Sequence, residues 1–372
     1  MTRITLCMIV RDEVANLARC LRSVEGVVDE VCVLDTGSVD GTPELAASLG
    51  ARVGHRAWTG DFAEARNASL ALAQGDWILV LDADEELDRT EQSAEELRAK
   101  LLAFAAGEAE RVGRLRLRNL LDGGDSSESE IVRFFARVPQ GRFAGRIHEQ
   151  WTVDGVLPAR ADTGVGILHY GYRRESLERD GKLARNIELL ARSLEAAPED
   201  GYAWYQLGRT LAVAEQHEEA LKALEAAVER CSDGADWGIH AIELGASALR
   251  ALGHYQQGLN LIESALPMAP QRTDTRFLAA LLALDCGDVA KAEAGFRTCL
   301  AYGPAQTGAE RSAAAGSWAA AHNLGVICEH TARPDEAARH YRSALAARPD
   351  HRASADGLAR LRAPLPPGPA IR

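Results

Sequence analysis

The segment Trp77–Glu86 joins five consecutive apolar residues to four acidic residues within the next five positions. Because every position is apolar, Trp77–Leu81 predicts a strand buried on both faces, as in sheets that helices cover on both sides. Ligands of open α/β sheets bind at the carboxyl ends of strands, where these carboxylates would lie. Asp82 and Asp84, two positions apart, can present oxygens to one divalent cation that in turn holds a diphosphate. The alternative is the acidic first turn of a following helix, where carboxylates favour the helix dipole.

Up to about Tyr172, short β-rich segments alternate with helical segments. This spacing is typical of a parallel sheet with helices on both faces, so it predicts an α/β domain. The predicted strands are Ile4–Val10, Asp29–Leu34, Ala51–His55 and Trp77–Leu81, and the predicted helices are Glu13–Val24, Pro43–Leu49 and Phe62–Gln74. Further along, the predicted strands are Arg114–Leu121 and Ile131–Val138, paired around a polar loop at 122–130, and Ile167–Tyr170.

The chain from about Arg185 onward is rich in Ala and Leu, has almost no strand signal and repeats itself. The pattern Trp204-x-x-Leu207-Gly208-x-x-Leu211 recurs as Leu324-Gly325-x-x-Cys328, and small residues follow both at the same offsets. It resembles the tetratricopeptide repeat of about 34 residues, in which small residues lie where helices touch. A plain helical bundle is the alternative. The sequence thus predicts an α/β domain at 1–180, all-α helical repeats at 181–362 and a disordered, proline-rich tail at 363–372.

Net charge, hydropathy and cysteine spacing argue against several classes of protein. A formal net charge of −12 argues against non-specific nucleic-acid binding, which needs a basic face. No apolar run approaches the roughly 20 residues of a transmembrane segment, and Met1–Val10 is too short for the core of a signal peptide, so a cytoplasmic location is expected. The seven cysteines are scattered without a C-x-x-C pair, which predicts reduced core residues and not a zinc or disulfide framework.

Four segments, read in order, carry a resemblance to a known family. They are Cys7-Met8-Ile9-Val10-Arg11-Asp12-Glu13, Leu34-Asp35-Thr36-Gly37-Ser38-Val39-Asp40-Gly41-Thr42, Trp58-Thr59-Gly60-Asp61-Phe62-Ala63-Glu64-Ala65-Arg66-Asn67 and Leu81-Asp82-Ala83-Asp84-Glu85. Together they resemble the nucleotide-sugar-binding half of an inverting family 2 glycosyltransferase of GT-A fold, which has a Rossmann-like mixed sheet. Gly145–Glu149 and Leu168–Tyr172 resemble later motifs of a branch with tetratricopeptide repeats, which includes the bacteriocin S-glycosyltransferases that modify a peptide cysteine.

The resemblance implies a role for each donor-site residue. Asp82 and Asp84 match the D-x-D motif, in which Asp84 is the expected direct metal ligand and Asp82 contacts ribose or metal-bound water. Arg66 is expected beside the nucleotide, where its planar fork suits phosphate oxygens. A helix-surface ion pair with Glu64 or Asp61 is the alternative for Arg66. The expected donor-binding residues are Val10, Arg11 and Asp35 (at the uracil), Arg66, Asn67, Asp82, Ala83 and Asp84. Without the family resemblance, Asp35 would be predicted only to cap the turn that follows it through side-chain hydrogen bonds.

The remaining candidates lie in the later motifs. Glu149 is the favoured base, because displacement at an anomeric carbon needs a group that removes the acceptor proton. The family usually has Glu-Asp at this point, so His148 is a competing base or a residue that orients Glu149. His169 resembles the histidine that completes metal coordination with Asp84 and Asp82, and the cofactor is expected to be Mn²⁺ or Mg²⁺. The alternative for His169 is a half-buried residue at a strand end. Trp151 is the best candidate among the aromatic residues for stacking on the sugar or base, and a core anchor is the alternative, since aromatic side chains more often have that role.

The leading interpretation is a metal-dependent, inverting glycosyltransferase with a UDP-sugar donor and a peptide or protein acceptor. Helical repeats usually hold extended polypeptide on a concave surface, which favours that acceptor class. A second interpretation keeps the donor site but has a small-molecule, lipid or polysaccharide acceptor, with the repeats used for homodimer formation. A third, a non-catalytic repeat scaffold, is disfavoured because the candidate acidic and histidine residues are all present.

Overall fold

The computed structural model describes residues 2–107, 110–120, 126–170, 181–231, 237–304 and 311–362. The chain forms two compact units, residues 1–210 and 211–372. The predicted domain boundary between residues 180 and 181 lies within the first unit and stays a prediction. The predicted tail 363–372, residues 232–236 and 305–310, and Gly171–Tyr172 of the last motif lie outside the described residues.

The first unit contains one mixed sheet, a hairpin and six helices among its described residues. The strands are β1 (Ile4–Val10), β2 (Glu30–Asp35), β3 (Arg52–His55), β4 (Trp77–Val80), β5 (Glu85–Leu87), β6 (Val112–Leu120), β7 (Ser126–Ala136), β8 (Gly141–Ala144), β9 (Gln150–Val153) and β10 (Arg160–His169). The helices are α1 (Val14–Ser23), α2 (Thr42–Ser48), α3 (Phe62–Leu70), α4 (Ala94–Ala105), α5 (Lys182–Ala196) and α6 (Gly201–Val213), whose last residues pass into the second unit.

The main sheet of this unit has the strand order β3-β2-β1-β4-β7-β6-β10-β5. The strands β1–β4 are parallel to one another, as the alternating pattern predicts, whereas β7 runs antiparallel to both β4 and β6. The hairpin β8–β9 lies apart from it. The predicted α/β class with a GT-A-like mixed sheet is therefore confirmed.

Burial explains why these segments form strands and helices. The strand β4 is buried at every position, and Trp77 at its start stacks on Phe134 of β7 with ring centroids 4.9 Å apart. In α1, the predicted apolar face of Leu17, Cys20 and Leu21 is buried against the sheet. The deeply apolar strands thus form the centre of the domain, and their carboxyl ends carry the polar residues.

Three segments of this unit differ from the sequence predictions. Glu85 and Glu86 belong to β5, which pairs antiparallel with β10, and not to the acidic first turn of a helix. Residues 126–130 of the predicted loop extend β7, because the hairpin partner β6 continues to Leu120 and satisfies their backbone groups. The predicted short strand Ile167–Tyr170 corresponds to the end of a longer strand, β10. The first half of β10 is polar, so the apolar pattern of the sequence does not reveal it.

The second unit consists of helices that each pack on the next along the chain. Its helices are α7 (His217–Glu229), α8 (Gly238–Ala251), α9 (Tyr255–Ala265), α10 (Thr273–Asp285), α11 (Val289–Tyr302), α12 (Trp318–His330), α13 (Pro334–Ala347) and α14 (Arg352–Arg362), and β11 (Arg311–Ser312) is a two-residue extended segment. The predicted helical repeats are confirmed. None of the helices in the described part of the chain combines the length and the apolar character that a membrane crossing needs.

Close packing of the helices α12, α13 and α14 depends on glycine residues that lie against one large aromatic ring. Tyr341 of α13 is fully buried, and a Cβ atom at Gly325 of α12 would lie 2.6 Å from its ring. The same ring excludes a Cβ at Gly357 of α14, at 2.5 Å. At the corresponding Leu-Gly pair of α8, a Cβ at Gly245 would meet Leu261 at an ordinary 3.5 Å.

We predict that Gly325→Ala lowers the free energy of unfolding by about 1–3 kcal/mol, because the buried ring has no space to yield. Gly245→Ala is the matched control, expected to be neutral or to stabilise by up to about 1 kcal/mol through helix propensity. Urea denaturation of both variants measures the difference. Equal effects of the two substitutions would contradict the packing argument.

Candidate functional site

The carboxyl ends of the parallel strands share one edge of the sheet, and the candidate residues gather there. Val10 at the end of β1 lies directly opposite Asp35 at the end of β2. Asp82, Ala83 and Asp84 follow β4, the other neighbour of β1. Strand order alone therefore brings together segments that lie far apart in the sequence.

Arg66 links this edge to the segment that contains the candidate base. Its side chain is only 4% exposed, and it lies on α3 between two carboxylates. Its Nη2 donates to Asp82 Oδ1 at 2.5 Å and its Nε to Glu149 Oε1 at 2.9 Å. The alternative of a surface ion pair with Glu64 is wrong, because Glu64 binds Arg56 and Thr59 instead. Arg66 thus joins the first half of the D-x-D motif to the candidate base.

A second buried guanidinium, which sequence reasoning missed, lies on the other side of Asp82. Arg133 Nη2 donates to Asp82 Oδ2 and to Glu85 Oε1, each at 2.7 Å. Glu85 is 2% exposed, and its other oxygen accepts the backbone N–H of Asp82 at 2.9 Å. Arg133 is the single charged residue in the apolar strand segment Ile131–Phe135. This was the available sequence signal, because a charged side chain is buried in such a strand only when it is paired.

The two guanidiniums control the protonation of the carboxylates between them. Burial opposes ionisation of Asp82, but the charges of Arg133 and Arg66 outweigh it and hold its pKa well below the usual range. Burial raises the pKa of Glu85, against the opposing charge of Arg133. Asp82 is therefore an ionised carboxylate with both oxygens already engaged by arginines.

Asp84 and His169 form a separate pair at the end of β10. The backbone N–H of Tyr170 donates to Asp84 O at 3.0 Å, which holds the strand end against the D-x-D motif. His169 Nε2 lies 3.6 Å from Asp84 Oδ2, and its Nδ1 lies 2.8 Å from Asn119 Oδ1. Burial lowers the pKa of His169, but the hydrogen bond and charge of Asp84 reverse this and raise it overall.

This pair fits a divalent cation by the chemistry of its donors. Metal-binding histidines usually donate their second ring N–H to an oxygen acceptor, which leaves the other nitrogen for the metal. Asn119 Oδ1 supplies that acceptor, and its Nδ2 donates to Ser127 Oγ at 3.1 Å. The Asp84 carboxylate and His169 Nε2, which lie 3.6 Å apart, are oxygen and nitrogen donors of the kinds that bind divalent cations. Asn119 is a further residue that sequence reasoning missed.

The uracil candidates lie at the β1 and β2 ends. The buried Asp35 carboxylate accepts the backbone N–H groups of Gly37 at 3.0 Å and Ser38 at 3.2 Å, so the capping alternative describes it in part. His55 Nδ1 lies 3.5 Å from its Oδ2. Because a carboxylate offers about four acceptor positions, a nucleobase contact stays a compatible prediction. Arg11 is exposed and lies near Asp12.

Two other candidates are engaged with the protein itself. Asn67 Nδ2 donates to Phe143 O at 3.0 Å, and its Oδ1 accepts Phe143 N–H at 2.8 Å. Asn67 thus fixes β8 to α3, and its donor contact stays a prediction. Trp151 is buried and stacks on Phe135 at 3.9 Å between ring centroids, so the preference for Trp151 as a stacking residue is wrong.

The candidate bases sit in a tight loop between β8 and β9. The loop has positive φ at Gly145 (98°) and His148 (53°), and Arg146 O accepts the N–H of Phe62 at 2.8 Å. Burial lowers the pKa of His148 to about 3, with a further lowering from the charge of Arg209. His148 is therefore neutral at physiological pH, whereas Glu149 is ion-paired to Arg66.

Comparison with known proteins agrees with this geometry. Residues 5–103 match the family described as glycosyl transferase family 2, and residues 175–235 match the tetratricopeptide repeat. These two segments cover the sheet edge with the D-x-D motif and the helices that follow the sheet.

Three curated relatives are similar to parts of the chain. A protein named as TPR repeat-containing in Synechococcus elongatus is 41% identical over 57% of this chain and 53% of its own length. The SPbeta prophage-derived glycosyltransferase SunS of Bacillus subtilis is 26% identical over 60% of this chain and 53% of its own length. An uncharacterized glycosyltransferase of Rickettsia felis is 40% identical over 24% of this chain and 31% of its own length. The chain thus spans about half the length of the first two relatives.

We predict that Arg133→Met lowers the free energy of unfolding by about 3 kcal/mol or more, because it leaves the buried carboxylate of Glu85 without its cationic partner. The control is Arg114→Met on β6, which breaks a partly exposed ion pair with Glu130 and should cost about 0–1 kcal/mol. Urea denaturation near pH 7.5 compares the two. A cost for Arg133→Met as small as that of the control would show that the buried network does not stabilise the domain.

We predict that His148 makes the stability of the folded protein depend on pH. The unfolded chain takes up a proton on this histidine near pH 6.5, whereas the folded protein resists protonation down to about pH 3. Stability is therefore lost as the pH falls below about 7, by about 1 kcal/mol between pH 7.5 and 5.5. His148→Asn tolerates the positive φ and should remove that loss. Urea denaturation at the two pH values measures it, and identical pH slopes for both proteins would contradict it.

Proposed function

Because the chain carries a family 2 glycosyltransferase domain followed by tetratricopeptide repeats, we propose that it transfers a sugar from a UDP-sugar to a peptide or protein, with inversion at the anomeric carbon. The observation that carries this proposal is the Arg66 bridge. One buried guanidinium binds Asp82 of the D-x-D motif on one side and Glu149 on the other. Donor-side and acceptor-side groups thus lie within the reach of one side chain.

The donor diphosphate is the ligand that the Asp84 side of this cluster suits best. Asp84 and His169 would hold Mn²⁺ or Mg²⁺, which when bound offsets the charge of the leaving diphosphate. Arg66 Nη1 is buried and has no hydrogen-bond partner among the described residues, so a phosphate oxygen would complete its fork. Asp82 orients Arg66, and its two engaged oxygens make it the least suited of the three predicted metal ligands.

Glu149 is our proposed base. Its carboxylate lies in the cluster and can accept the proton of an acceptor thiol or hydroxyl as the new bond forms. His148 would be a poor base, because a group with a pKa of about 3 binds a proton too weakly at neutral pH. The inversion follows from one displacement without a covalent sugar–enzyme intermediate.

The peptide acceptor is supported by the repeats, whose family generally presents concave surfaces to polypeptides. The expected homodimer stays a prediction.

We predict that the purified protein, with Mn²⁺, slowly hydrolyses a UDP-sugar, and that Asp84→Asn slows nucleotide release by at least about 100-fold, since the leaving diphosphate loses its charge compensation. The measurement is nucleotide release from a panel of UDP-, GDP-, ADP- and dTDP-sugars, with a chelator-treated sample alongside.

Asp76→Asn is the matched control, because Asp76 precedes the same strand at its opposite end and is exposed. It should release nucleotide like the unsubstituted protein. No hydrolysis of any donor by the unsubstituted protein would favour the scaffold interpretation. Hydrolysis that survives both the chelator and Asp84→Asn would refute the metal site.

A further inference from the structure

Helix α6 combines a repeat-like sequence with a position beside the candidate active site. It carries the Trp204–Leu211 repeat pattern, yet its residues up to Thr210 belong to the first compact unit. Tyr202, Gln206 and Arg209 are spaced by four and three residues, so they lie on one face of the helix. That face therefore carries three polar side chains.

The same face lies close to the loop that bears the candidate base. The positive charge of Arg209 acts on both His148 and Tyr202. Tyr202 is half-buried, hydrogen-bonds to Gln206 and is close enough to Glu149 for the carboxylate charge to affect it. The structure thus brings side chains of a repeat-like helix close to His148 and Glu149.

Two buried polar atoms in this region have no hydrogen-bond partner among the described residues. They are Nε2 of His148 and Oε1 of Gln206, whose residue is 5% exposed. Buried polar atoms without a partner are uncommon in native proteins and call for a ligand or water to explain them. Here they come from two different elements, the β8–β9 loop next to the proposed base and α6, and the charge of Arg209 on α6 reaches that loop.

We propose that His148, Tyr202 and Gln206 form an acceptor subsite that binds a peptide group of the acceptor polypeptide next to Glu149. This inference rests on the proposed function. A peptide group has one N–H donor and one C=O acceptor. Gln206 Oε1 can only accept, so it suits the N–H, and a neutral imidazole can donate from Nε2 to the C=O. Tyr202 and Gln206 are then positioning residues for the acceptor, and they explain why the repeats begin at the active site.

The test uses the full chain, Mn²⁺ and whichever UDP-sugar proves active. The probes are synthetic peptides, acetyl-Gly-Gly-Xaa-Gly-Gly-amide with Cys, Ser, Thr or Asn as Xaa, and the readout is the nucleotide release that each adds to hydrolysis by water. We expect Gln206→Leu to raise the half-saturating peptide concentration at least fivefold, while the KM for the donor changes less than twofold. Gln257→Leu, the same change at an exposed repeat position, should behave like the unsubstituted protein.

Tyr202→Phe provides a second test that keeps the half-buried ring and removes only its hydroxyl, so it applies even if Gln206→Leu does not fold. It should also raise the half-saturating peptide concentration. Unchanged peptide dependence in the folded variants would overturn the subsite. Stimulation of the unsubstituted protein by methyl glycosides but by no peptide would overturn the peptide class. Absence of donor hydrolysis by the unsubstituted protein would instead refute the proposed function on which the subsite rests.

Discussion

The ion pairs of Arg66 are the interaction on which the site depends. A buried guanidinium needs its charge to be balanced, and here Asp82 and Glu149 balance the charge of Arg66 from two separate segments. The same pairs hold the β8–β9 loop near the end of β4, so the position of the proposed base, Glu149, is tied to the position of the D-x-D motif. A substitution that displaces the D-x-D motif is therefore expected to displace Glu149 as well.

The sheet order makes this arrangement possible. Parallel strands β1, β2 and β4 supply the donor-side edge, but the antiparallel β7 brings Arg133 beside Asp82, and β10 with β5 brings His169 beside Glu85. A fully parallel sheet would have placed the ends of these later strands differently. The mixed topology is therefore what lets residues more than eighty positions apart, such as Asp84 and His169, meet at one point.

Much of this arrangement could be predicted from the sequence, for a clear physical reason. Strand β4 and the acids after it form a local signal, and the motif order supplied Asp84, Glu149 and His169 without contact information. Arg133, Asn119 and the strand role of Glu85 were missed because their function depends on pairing partners in other strands. Asn67 and Trp151 show the converse, since their residue types suit ligands but their packing commits them to Phe143 and Phe135.

The charges of the cluster give a physical reason to expect a divalent cation. Among the described residues, the carboxylates of Asp82, Glu85 and Glu149 are paired with the two guanidiniums of Arg66 and Arg133, so three negative charges meet two positive charges and one is in excess. Burial raises the pKa of Glu85, and the charge of Asp82 raises it further against the opposing charge of Arg133. A cation at Asp84 and His169 would remove the excess, and a diphosphate would then add negative charge where Arg66 Nη1 still has a bond to give. Metal and donor would therefore be expected to bind together, each improving the electrostatic fit of the other.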